Sequence, residues 1–92
     1  MDPKTGEIVS GGIEAETRQV LTNIKNILEA AGSSMDLVIK TTVYLRDMQD
    51  FTVMNGVYAT FFPTNPPART TVQAAALPRG IAVEIDTVAI AG

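Results

Sequence analysis

Two charged side chains near the end of the chain, Arg69 and Glu84, are the best candidates for chemistry in a sequence that has neither cysteine nor histidine. Without those residues there is no thiol nucleophile, imidazole base or disulfide, and a zinc or iron site would need carboxylates alone. Arginine suits bidentate recognition of a carboxylate. Glutamate can act as a general base on water, and Thr71, two residues beyond Arg69, can hydrogen-bond a substrate or that water. Together they describe hydrolysis of a small carboxylate-bearing molecule. The plainer reading is a solvated surface ion pair, which contributes little.

These residues lie on two predicted strands, Arg69 to Ala76 and Ile81 to Ala91, joined by the turn Leu77-Pro78-Arg79-Gly80. Read as a hairpin, the alternation puts Thr70, Val72, Ala74 and Ala76 on one face with Ile81, Val83, Ile85, Thr87 and Ala89. Arg69, Thr71, Gln73, Glu84 and Asp86 then share the other. Two registers satisfy this. In one, Thr71 faces Glu84 and Arg69 faces Asp86, leaving Arg69 and Glu84 diagonal neighbours about 7–8 Å apart. In the other, Gln73 faces Glu84 and Arg69 lies roughly 13 Å away. The first makes the compact site and is preferred.

The elements that must position this hairpin are legible upstream. Asp2-Pro3-Lys4-Thr5-Gly6 reads as a turn and Glu7-Ile8-Val9 as a short strand. Ile13 to Ala31 is a predicted helix with Ile13, Val20, Leu21, Ile24, Ile27, Leu28 and Ala31 on its apolar stripe, Glu16 outside it, and Gly32 as its stop. Asp36 to Arg46 is a predicted strand. Its apolar face is Leu37, Ile39, Thr41, Val43 and Leu45; Val38, Lys40, Thr42, Tyr44 and Arg46 form the mixed face. Asp50 is the expected N-cap of a second helix, Phe51 to Phe62, with Asn55 at its solvent edge. Pro63 ends it, and Thr64-Asn65-Pro66-Pro67 is a loop. The order β-α-β-α-β-β predicts an α+β fold, one sheet with two helices on a single face.

The chain has 92 residues, 46% of them apolar, as expected for a single globular domain over 1–92. A net charge of −3 is a poor match for nucleic acid, which is not expected as a partner. No apolar run is long enough for a membrane span and no signal peptide is visible, so a cytoplasmic protein is expected. A domain this small gains from self-association.

Several segments together resemble the YjgF/RidA (UK114) family. They are Asp2-Pro3-Lys4-Thr5-Gly6-Glu7, Gln19 to Lys25, Lys40-Thr41-Thr42-Val43-Tyr44-Leu45, Pro67-Ala68-Arg69-Thr70-Thr71-Val72, Leu77-Pro78-Arg79 and Val83-Glu84-Ile85. The resemblance covers essentially the whole chain, in order. It implies a chorismate-mutase-like α+β fold, a homotrimer with sites in clefts between subunits, and no cofactor. The implied activity is hydrolysis of 2-imino acids, such as those of pyruvate and 2-oxobutanoate, to 2-oxo acids and ammonia. Arg69 matches the arginine that grips the substrate carboxylate, and Glu84 the acidic residue that positions or activates water. Thr71 and Asn55 match residues lining the cleft. A binding module without turnover is the alternative, and a ribonuclease or translation-inhibitor role a further one.

Family chains carry two further strands ahead of the Asp2-to-Glu7 turn, with a site tyrosine and a Ser-Gly-Gln segment. Here Met1 precedes Asp2. The expectation is an N-terminally truncated sheet with an exposed edge, a fold core held by oligomer contacts, and weakened catalysis.

Overall fold

The computed structural model describes residues 12–64 and 66–91. The turn and strand expected over 2–9, and Asn65 of the predicted loop, lie outside the described residues. Within them, α1 (Gly12–Ala30) and α2 (Phe51–Phe61) pack on one face of a three-stranded mixed sheet. Its strands are β1 (Val38–Leu45), β2 (Ala68–Gln73) and β3 (Val83–Ala89). The fold is α+β.

Helix α1 forms where the 3.6-residue periodicity places it and buries Leu21 completely. Gly32, at φ 83°, closes it. Its N–H donates to the Glu29 carbonyl (3.2 Å) and that of Ser33 to the Leu28 carbonyl (2.7 Å). This paired arrangement satisfies the last carbonyls and needs a left-handed residue at that position. Two α1 assignments change. Ile27 is 66% exposed and lies off the buried stripe. Glu16 is not a solvated charge, because its Oε1 accepts the Ala82 amide N–H at 3.0 Å and pins the entry of β3.

Thr17, absent from the predicted stripe, is fully buried. Its Oγ1 has no hydrogen-bond partner among the described residues. A buried unpaired hydroxyl costs about 1–3 kcal/mol. Thr17→Val should therefore raise unfolding free energy by about 1 kcal/mol in urea titrations at fixed protein concentration. An unchanged or lower midpoint would refute it.

Asp50 is not the cap of α2. It sits in helical conformation within a tight turn, Met48–Asp50, that runs straight into the helix, and its side chain makes no capping bond. Asp47 does that work one turn earlier, accepting the Gln49 N–H at 2.9 Å.

Strand β1 is central, parallel to β2 and antiparallel to β3. From Thr41 onward its predicted alternation holds: Thr41, Val43 and Leu45 are fully buried under the helices. Before that the phase is inverted, with Val38 buried and Ile39 51% exposed. The cause is a bulge between Val38 and Lys40 opposite Ala89 and Val88, which shifts side-chain phase by one residue.

The expected hairpin is absent. β2 and β3 flank β1 and do not pair with each other. The connection between them passes around the C-terminal end of β1, where the Ala74 N–H donates to the Leu45 carbonyl (2.9 Å) and the Arg46 N–H to the Ala82 carbonyl (3.0 Å). Arg46 also donates from its guanidinium to the Gly80 carbonyl. Intervening α2 lets β1 and β2 run parallel, which a tight turn cannot do. The antiparallel edge of β1 is then left for β3.

Candidate functional site

The register settles which residues share a face. Thr41, Val43 and Leu45 of β1 are buried beneath the helices, and they stand opposite Arg69, Thr71 and Gln73 of β2. Arg69 and Thr71 are therefore on the helix-facing side. Glu84 stands opposite Tyr44, and Asp86 opposite Thr42, on the open side. Arg69 and Glu84 lie on opposite faces of the sheet, two strands apart, and neither predicted register exists. The assumption that the apolar set of β2 faces the helices fails. Thr70 and Val72 face outward, because this edge strand turns its polar side toward α2.

On the helix side the structure builds one well-defined group. Arg69 is half-buried and donates from Nη1 to Oδ1 of Asn55 on α2. Its guanidinium carbon lies 4.8 Å from the centre of the Tyr58 ring and 5.4 Å from that of Phe51. Asn55, Phe51 and Tyr58 fall at helical spacing on α2, so one helix face supplies all three contacts. Tyr58 is itself buried, its hydroxyl sharing a 2.7 Å hydrogen bond with Oγ1 of Thr41. Thr41 pairs directly with Arg69. Backbone register, phenol and amide thus fix the guanidinium from three sides.

Arg69 makes no ion pair with a carboxylate among the described residues; the salt bridges there join Arg18 to Glu14 and Lys25 to Glu29 on α1. One of five guanidinium donors is used by Asn55, leaving the fork able to take an anion. Thr71 Oγ1, on the same face, is buried with no hydrogen-bond partner among the described residues. Beside Arg69 opens a cleft of about 400 Å³, walled by Tyr58, Phe62, Pro66 and Pro67 and floored by Ala59 and Asn55. No cluster of acidic residues able to hold a metal ion occurs among the described residues. No helix there is long and apolar enough to cross a membrane.

The sequence profile of the family described as Endoribonuclease L-PSP matches residues 1–91. The chain belongs to this family, that of YjgF and RidA. It is 57% identical over 89 residues to a RutC family protein of Pyrococcus horikoshii, covering 97% of this chain and 71% of that one. It is 49% identical to the human 2-iminobutanoate/2-iminopropanoate deaminase over all of this chain and 67% of the human one. The structure of RidA from an Antarctic Psychrobacter superposes with a TM-score of 0.92 at 45% identity, over 98% of this chain and 73% of that one.

For this member of the YjgF/RidA family the structure brings Arg69, Asn55 and Thr71 to one side of the sheet and leaves Glu84 on the other. Sequence reasoning treated Tyr58 and Phe51 as packing and passed over Thr41. The available signal was the spacing of Phe51, Asn55 and Tyr58 on one helix face, but which strand residue that face meets depends on pairing across the sheet. Tyr58→Phe should keep the ring under the guanidinium and strand the buried Thr41 hydroxyl, lowering stability by about 1–2 kcal/mol. The double variant Thr41→Val with Tyr58→Phe should recover most of that loss in the same denaturation assay, since removing both partners removes the orphan. Additive losses would show that the two hydroxyls do not depend on each other.

Proposed function

We propose that this chain hydrolyses 2-imino acids to 2-oxo acids and ammonia, without a cofactor. The observation that carries the reading is the un-neutralised Arg69 guanidinium, held over two aromatic faces by Asn55 at the edge of an open cleft. A cation fixed in this way is prepared for a planar carboxylate. Names of relatives at nearly half identity, such as the human deaminase, support the reaction class.

In the proposed reaction Arg69 takes the substrate carboxylate and so places the adjacent imine carbon. Glu84 removes a proton from water while the water oxygen bonds to that carbon and the C=N electrons move to nitrogen. Thr71 steadies the water or the carboxylate. The carbinolamine then collapses: the proton returns to nitrogen, the C–N bond breaks, ammonia leaves, and the C=O of the 2-oxo acid forms. One water is consumed and no oxidant or reductant is needed.

Because Arg69 and Glu84 lie on opposite faces, a site using both takes them from two copies of the chain. Such a contact joins two different surfaces, so it is head-to-tail, and the smallest ring that closes by head-to-tail contacts is a trimer. The open face is suited to burial: Val72, Val88, Ile39 and Ile90 are 40–54% exposed. A cytoplasmic homotrimer acting on a small carboxylate, with neither membrane nor nucleic acid as partner, is the proposed form.

The test is release of equimolar 2-oxo acid and ammonia, above the uncatalysed rate, from an imine generated in situ by an amino acid oxidase. Calorimetric binding of 2-oxo acids with no acceleration would favour a binding module instead. The family's ribonuclease description makes RNA a necessary control. Cleavage of RNA by the same preparation, surviving further purification, would argue against the imine reading, which the net charge of −3 supports over phosphate binding.

A further inference from the structure

The cleft beside Arg69 is much larger than a short-chain imino acid needs. A four-carbon imino acid occupies roughly 100 Å³, a few times the ~30 Å³ share of a water molecule, whereas the cleft holds about 400 Å³. Its chemistry is uneven. Arg69 is the one charged residue lining it among the described residues. Asn55, the one polar amide, already accepts from Arg69. The remaining walls are apolar. Tyr58 and Phe62 form a ring pair with centroids 4.8 Å apart and planes inclined by 40°, and Pro66 and Pro67 stand across from them. Both rings are otherwise buried in the core, so this wall is fixed in place and does not have to be assembled on binding.

A site with one cation at one end and a rigid aromatic and proline wall beyond it recognises a carboxylate attached to an apolar group. It offers no carboxylate for a basic side chain and no second cation for an acidic one. We infer that the preferred substrates are 2-imino acids with large apolar side chains, branched aliphatic or aryl, over those of three or four carbons. The inference rests on the proposed reaction and adds the substrate's side chain to it. Arg69 holds the carboxylate, and the side chain lies along Tyr58 and Phe62.

The discriminating experiment compares kcat/KM for imines generated in situ from leucine and phenylalanine with those from alanine and 2-aminobutyrate. The expected ratio is at least about tenfold in favour of the large side chains, the scale on which an apolar pocket separates substrates that differ by a few methylenes. Ala59 lines the cleft and is exposed on α2. Ala59→Leu, a residue helices accept readily, should collapse that ratio toward one by filling the floor. Equal rates in the wild type, a short-chain preference, or a ratio that Ala59→Leu leaves untouched would overturn the inference while leaving imine hydrolysis standing. No turnover of any of the four imines would overturn both.

Discussion

Replacing Arg69 with alanine will lower kcat/KM for 2-imino acid hydrolysis by about 10²- to 10³-fold, or about 3–4 kcal/mol of transition-state binding. The size follows from what Arg69 is in this fold: the cation of the cleft, already oriented, with no carboxylate partner to redirect it. Removing it leaves a substrate carboxylate facing phenyl and phenol rings with nothing to replace its lost water. The structural cost is smaller. One hydrogen bond to Asn55 and two ring contacts disappear, each contributing about 0.5–1.5 kcal/mol, and the core beneath is built from Leu21, Val43, Leu45 and Met54, none of which touches solvent. Arg69→Ala should thus remain folded and assembled by circular dichroism and sedimentation while turnover is lost. Arg69→Lys keeps the charge and loses the fork, so it should fall between the two. An alanine variant retaining more than half of wild-type kcat/KM would remove Arg69 from the site.

That Arg69 mattered was legible in the sequence, and where it stood was not. Helix α1, its glycine stop at Gly32, α2, and the phase of β3 with Val83 and Ile85 inward all follow from local periodicity, and the structure agrees. The failures share one physical origin. Whether β2 pairs with β3 or with β1 is decided by edges brought together across the whole domain, and the turn-like Leu77-Pro78-Arg79-Gly80 segment serves a short hairpin and a loop around the end of β1 equally well. Once the hairpin was assumed, the rule that apolar sets share a face placed Arg69 beside Glu84. The bulge at Val38 had a comparable effect on a smaller scale. One extra residue turned Ile39 outward, and nothing in the local alternation marks it. Tyr58 escaped notice because a buried aromatic on a helix is ordinarily packing. Its hydrogen bond to Thr41 and its place beneath a strand arginine exist only after the sheet has formed.

Separation of Arg69 and Glu84 onto opposite faces makes the second large effect one of restoration. Glu84→Gln should lose about 10²- to 10⁴-fold in kcat, the range for removal of a general base, and Arg69→Ala is similarly inactive. Co-expressing the two variants with different tags, and purifying through both, yields only mixed oligomers. In a head-to-tail trimer each site takes Arg69 from one copy and Glu84 from the next. Both possible mixed rings then contain one site with an intact Arg69 and an intact Glu84, whichever variant is in excess. The mixed preparation should therefore recover about a third of wild-type activity per trimer from two nearly inactive parents. An isologous dimer with shared sites would instead recover about half. If one copy supplied both residues, every site in every mixed ring would carry a lesion, and activity would stay at the level of the parents. Recovery also fails if Glu84 has no part in catalysis, but then Glu84→Gln alone keeps its rate, and the single variants identify that case before any mixing is done.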